Sequence, residues 1–164
     1  MAIPAQSIGL FRLDYNRRLS YIVRSMTKYV IHTDGASRGN PGDASIAFVI
    51  NQDNNLTEFS EFIGQTTNNQ AEYQAMEAAV NKLIEMSVER SQLEFFSDSE
   101  LMIKQLIGEY RVKDPGIKPV FESIKDKLEK LKKHGNTYSL NAIRRQFNKR
   151  ADELANYALD NKSG

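Results

Sequence analysis

The sequence predicts an α/β domain: a mixed five-stranded sheet flanked by helices. Three observations carry that prediction. Three apolar runs with strand character come first, joined by short connections, and two further short apolar runs follow, set off by segments of helical periodicity. Strands separated by helices enter a sheet through right-handed crossovers and lie parallel. At 164 residues, 40% hydrophobic and 26% charged, the chain has the make-up of one globular domain with a sizeable core.

Taken in order, β1 is expected over 28–34, β2 over 44–51 ("ASIAFVIN") and β3 over 56–64 ("LTEFSEFIG"). "GASRGNPG", after Asp34, reads as a pliable loop, and "NQDNN" as the hairpin turn between β2 and β3. A first helix, α1, spans about 68–87, with Thr66 or Thr67 as N-cap and Tyr73, Met76, Val80, Leu83 and Ile84 on its core face. "LEFF" at 93–96 is β4, and α2 runs over 99–107 to stop at Gly108. The Lys-rich α3, 117–134, places Val120, Ile124, Leu128 and Leu131 on one side. "TYSLNAI" at 137–143 is β5, and α4, about 149–160, buries Ala151, Leu154, Ala155, Ala158 and Leu159.

Composition excludes several classes. No apolar run reaches the ~18 residues of a membrane span. Cysteine is absent, which rules out disulfides and thiolate metal sites and suits a cytoplasmic protein. The net charge of +1 hides a division along the chain. Residues 29–103 carry three basic and twelve acidic side chains, whereas 104–150 carry thirteen and five. An acidic half beside a basic half suits a protein that holds cations next to a polyanion. Residues 1–27 stand apart, with four arginines and one aspartate. They read as an N-terminal extension, poorly ordered or upstream of a start at Met26, with organellar targeting as the alternative; the domain is 28–164.

Four carboxylates fall at element ends. Asp34 closes the expected β1, Glu72 lies in the first turns of α1, Asp98 just follows β4, and Asp152 is in the first turn of α4. Ligand sites of open α/β sheets lie outside the carboxyl ends of the strands. Carboxylates converging there repel by about 4 kcal/mol per pair at 4 Å and an effective dielectric near 20. Hard divalent cations relieve that repulsion. Singly, each acid has a plainer reading as a turn residue, an N-cap or a complement to a helix dipole. A phosphate-cradling P-loop is excluded, since "GASRGNPG" lacks its lysine and leads into a strand.

"TDGASRGNPG", "TTNNQAEYQAM", "FSDSE" and "NKRADELAN", in this order over 28–160, together resemble a type 1 ribonuclease H, in the compact form without a basic protrusion. The resemblance implies the ribonuclease H-like fold with strand order 3-2-1-4-5, in which β1 and β4 are parallel neighbours. It implies hydrolysis of the RNA strand of RNA–DNA hybrids with two Mg²⁺, replaceable by Mn²⁺, leaving 5′-phosphate and 3′-hydroxyl ends. Asp34, Glu72, Asp98 and Asp152 match the family's catalytic, metal-binding acids. Asn40, Asn68 and Asn69 match positions that contact RNA, and an asparagine amide offers both donor and acceptor to a 2′-hydroxyl. Gly35 would admit backbone close to the sugar edge, and Thr67 matches a contact to a DNA phosphate.

Two departures stand out. Where many relatives carry a histidine, the loop "NAIRRQFNKRAD" has none; Arg145 fits that position, with an electrostatic role on phosphate or product, or none beyond solvation. In place of the protrusion the chain has only "GEYRVKDPGIKP". Hybrid binding then falls to Arg111 and Lys113 first, with Lys118 and the Lys125–Lys133 face behind them. The partner expected is an RNA–DNA hybrid met by a monomer, with no membrane. Alternatives are a hybrid- or double-stranded-RNA-binding module of relaxed substrate choice, or a DNA-directed nuclease of the same superfamily; "TNNQAE" argues against the latter.

Overall fold

The computed structural model describes residues 26–162. The elements are β1 (Thr27–Gly39), β2 (Gly42–Gln52), β3 (Asn55–Thr66), α1 (Asn68–Glu85), β4 (Ser91–Ser97), α2 (Glu100–Leu106), α3 (Lys118–Lys133), β5 (Thr137–Ala142), a 3₁₀ turn (Arg145–Phe147) and α4 (Lys149–Asp160). The sheet order is β3-β2-β1-β4-β5. Both meander pairs are antiparallel, and β1 with β4 and β4 with β5 are parallel. The extension expected over 1–27 lies outside the described residues up to 25, while Thr27 already pairs with Ser91.

One expected boundary is corrected. β1 does not end at Asp34, and "GASRG" is not loop. Parallel pairing with β4 ends at Thr33 with Ser97, while antiparallel pairing with β2 continues to Gly39 with Gly42. The small residues that suggest a turn are held extended by ladder bonds to β2, a tertiary effect that local propensity does not report. Asp34 is therefore the first residue of β1 past its parallel neighbour, in a notch of the sheet rather than at a strand terminus. The β2–β3 turn is as expected: Asp53 (φ 48) and Asn54 (φ 67) both adopt the left-handed conformation that a two-residue hairpin turn requires.

The main core lies under α1, α2 and α3. Ile31, Phe48 and Phe95 from the sheet meet Tyr73, Met76 and Leu83 of α1, Met102 of α2 and Ile124 and Leu128 of α3. Helix α4 packs over β1, β2 and β3, and Ser45 of β2 donates to the carbonyl of Ala155 at 2.6 Å. Leu154, expected to be buried, is only half-buried.

Helix α1 lies so close to β1 that a Cβ on Gly35 would overlap the backbone of Ala71 and Glu72. Bare Gly35 thus admits the helix on one side, and it also lines an open polar cavity. Backbone on both sides cannot yield as a flexible side chain would. Gly35→Ala is expected to destabilise the fold by about 3 kcal/mol or more, read by denaturant unfolding, whereas Gly64→Ala, which meets no neighbouring atom at the added Cβ, costs only the strain of its positive φ.

Candidate active site

Three acids converge. Asp34, Glu72 and Asp98 each offer a carboxylate oxygen within 4.8 Å of the others. Their elements explain it. Asp34 leaves the notch of β1, and Asp98 follows Ser97, which is level with Thr33 in the parallel register. Glu72 is delivered by α1, whose start is fixed by a capping box: the Thr67 hydroxyl accepts from the Gln70 N–H at 3.2 Å, and the Gln70 side chain accepts from the Thr67 N–H at 3.3 Å. Of the two threonines considered for the cap, Thr67 fills it. The Gly35 N–H then donates to Glu72 Oε2 at 3.2 Å, tying β1 to the helix beside Asp34.

Burial raises the pKa of all three acids. Asp34, 4% exposed, is pushed up to about 8, first by desolvation and then by the charges of Asp98 and Asp152. Glu72 is raised well above the ordinary glutamate range by burial and by Asp34 and Asp98, against the lowering effect of the Gly35 N–H. Asp98 is raised by burial, opposed by the Arg145 guanidinium. Burial and the neighbouring carboxylates thus favour the protonated form of Asp34 when no cation is bound.

Asp152 is outside this triplet. It stands in the wall of the same cavity, where its Oδ1 accepts from Arg145 Nη2 at 3.2 Å and from Asn156 Nδ2 at 3.3 Å. Arg145 thus lies at the site, as its sequence position suggests, but turned on the fourth acid. The cavity, about 880 Å³, is open to solvent and is also lined by Gly35, Asn68, Ser99 and Glu100. The donor set is all hard oxygen, with charge that its surroundings leave unneutralised. Those residues fit divalent cations of the Mg²⁺ kind.

The expected substrate residues divide. Asn68 lines the cavity, and Asn69 is half-buried next to it. The Asn40 side-chain carbonyl accepts from the Asn68 N–H at 3.1 Å, which ties Asn40 to the start of α1. Arg111 and Lys113 are exposed outside the cavity, on a segment held by a buried chain: Tyr73 OH donates to Gln105 Oε1 at 2.5 Å, and Gln105 Nε2 to the Arg111 carbonyl at 3.3 Å. Of the lysine face, Lys125 donates to the Leu106 carbonyl and Lys127 to Glu77, so both are taken up structurally. Residues the sequence reading missed are Arg38, Glu100 and Asn156, all in the cavity wall. Arg38 follows Asp34 by four residues on an extended strand, on the same face; Asn156 follows Asp152 at helical i,i+4 spacing.

A 3-2-1-4-5 mixed sheet with buried carboxylates in the notch of its central strand defines the ribonuclease H-like class of α/β domain. The RNase H family model matches residues 26–160. Ribonuclease HI of Halobacterium salinarum is 36% identical over 129 residues, covering 77% of this chain and 62% of that protein. The bifunctional protein Rv2228c of Mycobacterium tuberculosis is 30% identical over 136 residues, 81% of this chain and 36% of that one, so the chain spans only part of the curated relatives it matches. Among solved structures, LC11-RNase H1 in complex with RNA/DNA hybrid superposes with a TM-score of 0.76 at 37% identity, over 83% of this chain and 99% of the other. RNase H1 from the halophilic archaeon Halobacterium salinarum gives 0.73 at 36%, over 81% and 98%. This chain belongs to the RNase H family, in its type 1 form.

The raised carboxyls make stability pH-dependent in a fixed direction. Asp34 has a folded pKa above its unfolded value, so its neutral form stabilises the fold fully below about pH 4, and that contribution is lost as pH rises towards about 8. Glu72 acts with the same sign. In chelator, the melting temperature is expected to fall between pH 5 and pH 8. Asp34→Asn should flatten that fall and gain roughly 1–3 kcal/mol at pH 8. Calorimetry across this range checks it; an Asp34→Asn protein melting below wild type at pH 8 would contradict convergence of the acids.

Proposed function

We propose that this domain hydrolyses the RNA strand of RNA–DNA hybrids, leaving 5′-phosphate and 3′-hydroxyl ends. The observation that carries the reading is the triplet of carboxylates, two buried and one half-buried, in an open polar cavity on a chain of the RNase H family. Asp34 and Asp98 would hold one divalent ion, and Asp34, Glu72 and Asp152 a second, Mg²⁺ or Mn²⁺. When bound, such a pair supplies activation of water and charge neutralisation at the phosphodiester.

The remaining groups have separable tasks. Gly35 N–H keeps Glu72 oriented, and loss of Arg145 from Asp152 would free that acid while placing a permanent cation, which cannot serve as a base, beside the phosphate. The amides of Asn40, Asn68 and Asn69 read the 2′-hydroxyl that separates RNA from DNA. Thr67, occupied by the α1 cap, would meet a DNA phosphate through the same exposed helix start. Arg111 and Lys113 would take the phosphates beyond it. Duplex RNA is the second reading, favoured only by the openness of the cavity to any A-like backbone.

The test presents one end-labelled strand as RNA–DNA, RNA–RNA and DNA–DNA duplexes, with Mg²⁺ or chelator. Cleavage confined to the RNA of the hybrid, dependent on Mg²⁺ and lost by at least about 10³-fold in Asp34→Asn, is expected. No cutting of the hybrid, or equal loss from the Asp34→Asn protein and the wild type, would defeat the proposal. Neutralising Arg111 and Lys113 together should also flatten the slope of log K against log salt for hybrid binding by about 0.9 per lost contact. An unchanged slope would move the DNA-strand contact elsewhere.

A further inference from the structure

Two rows of side chains lead away from the acids side by side. On β1, Asp34, Ala36 and Arg38 share one face of the extended strand. It is the α4 face, because Ser45, opposite Ala36 in the ladder, donates to the Ala155 carbonyl. On α4, Asp152, Asn156 and Leu159 follow one another at helical spacing. Both rows line the same cavity, which is therefore a groove with the carboxylates at one end. From Asp34 to Arg38 along the strand, and from Asp152 to Asp160 along the helix, is about 12–13 Å. The rows meet there, where Arg38 Nη2 pairs with Asp160 Oδ1.

The fold itself makes little use of Arg38. Its side chain is 48% exposed and that of Asp160 60%, and an ion pair so open to water holds little. Asp43, across the ladder from Arg38, is taken by Lys162, and the cation that offsets the buried acids is Arg145. The backbone of Arg38 is nevertheless held firmly. It pairs with Asp43 in the ladder, and Gly42 lies so close that a Cβ there would overlap the Arg38 carbonyl. A guanidinium with a fixed root and a replaceable partner thus stands at the far end of the groove.

Such a fork of donors matches a phosphate, which it can hold bidentately. At a rise of ~3.4 Å per nucleotide, the groove spans about four nucleotides from the acids. We propose that Arg38 binds a phosphate of the strand being cut, about three to four nucleotides from the scissile bond, and that Asp160 competes with that phosphate for the guanidinium. Substrate then exchanges one anion for another at Arg38. This rests on the hybrid reading above.

The test measures KM for an RNA–DNA hybrid with the full chain. Arg38→Gln is expected to raise KM about tenfold. Asp160→Asn, which removes the competitor, should lower it about two- to fivefold, and should do nothing further in the Arg38→Gln background. Arg38→Lys, which keeps the charge but not the fork, should recover part of the loss. A neutral methylphosphonate stepped through the cut strand on either side of the cleavage site should raise KM of the wild type at one position and leave Arg38→Gln indifferent there. If the pair only tied α4 to β1, both single variants would lower the melting temperature and move KM in the same direction, and that result overturns the proposal. So does an unchanged KM in Arg38→Gln, an Asp160→Asn effect that persists without Arg38, or an equal response of both proteins at every methylphosphonate. If no hybrid is cut, the hydrolysis reading fails by itself, and fluorescence anisotropy of the labelled hybrid then reads the same opposed shifts in Kd.

Discussion

The site depends on one close approach, that of α1 to β1 at Gly35. No side chain separates the two backbones there, and the Gly35 N–H reaches Glu72 directly. That contact decides how near a helix-borne acid can come to a strand-borne one. The notch decides the rest. Because β4 stops at Ser97 while β1 continues along β2, Asp34 and Asp98 emerge side by side with no strand between them. The capping box at Thr67 then fixes the angle at which α1 enters. Carboxylates of ordinary chemistry become a candidate cation site because β1, α1 and the end of β4 bring them together.

That closeness has an electrostatic cost which the fold carries without a ligand. Burial is the first cause of the shift at all three acids, ahead of their mutual repulsion. Repulsion alone, in an exposed cluster, would be screened by water and salt. Here the low exposure of Asp34 and Glu72 prevents screening, so a proton or a divalent ion must be present. Arg145 offsets part of the charge from the rim, but it spends its short contact on Asp152. The arrangement reads as a fourth acid held in reserve by its own cation, next to three that wait for another.

Much of this was legible in the sequence. The periodicities of α1, α3 and α4 and the "NQDNN" turn placed the elements to within a few residues, because amphipathic faces and turn residues report burial and dihedral angle locally. The four acids were singled out because each was expected at an element end, which holds for Glu72, Asp98 and Asp152 but not for Asp34, inside β1. What escaped was set by tertiary pairing. "GASRG" carries the residues of a loop, and only its ladder to β2 makes it a strand; with β1 cut short, Arg38 lost its place on the Asp34 face. Gly35 was noticed as a point of close approach, but nothing in the residues near it announces that Ala71 lies against it. Asp152, outside the triplet, is engaged by Arg145 and Asn156, contacts that spacing alone does not reveal.

The basic half of the chain is also less uniform than its charge suggests. Two of the α3 lysines, Lys125 and Lys127, are tied to a carbonyl and to Glu77, so only part of the helix is a free cationic face. Lys118, Lys130, Lys132 and Lys133 stay exposed along α3, and other exposed cations lie on or beside the flanking connections. Arg111 and Lys113 sit before α3, and Arg144, Lys149 and Arg145 sit around the turn after β5. Each connection is fastened from below by a buried amide: Gln105 holds the Arg111 carbonyl, with Tyr73 behind it, and Asn148 holds the Thr33 carbonyl. Tyr73 follows Glu72, and Thr33 precedes Asp34, so each basic connection is anchored one residue away from an acid of the site. A compact domain without a protrusion has few cations to aim at a polyanion. Under the proposed function, holding the connection cations against the backbone beside the acids would lower the entropy lost on binding a polyanion and would fix the distance from phosphate contact to carboxylate.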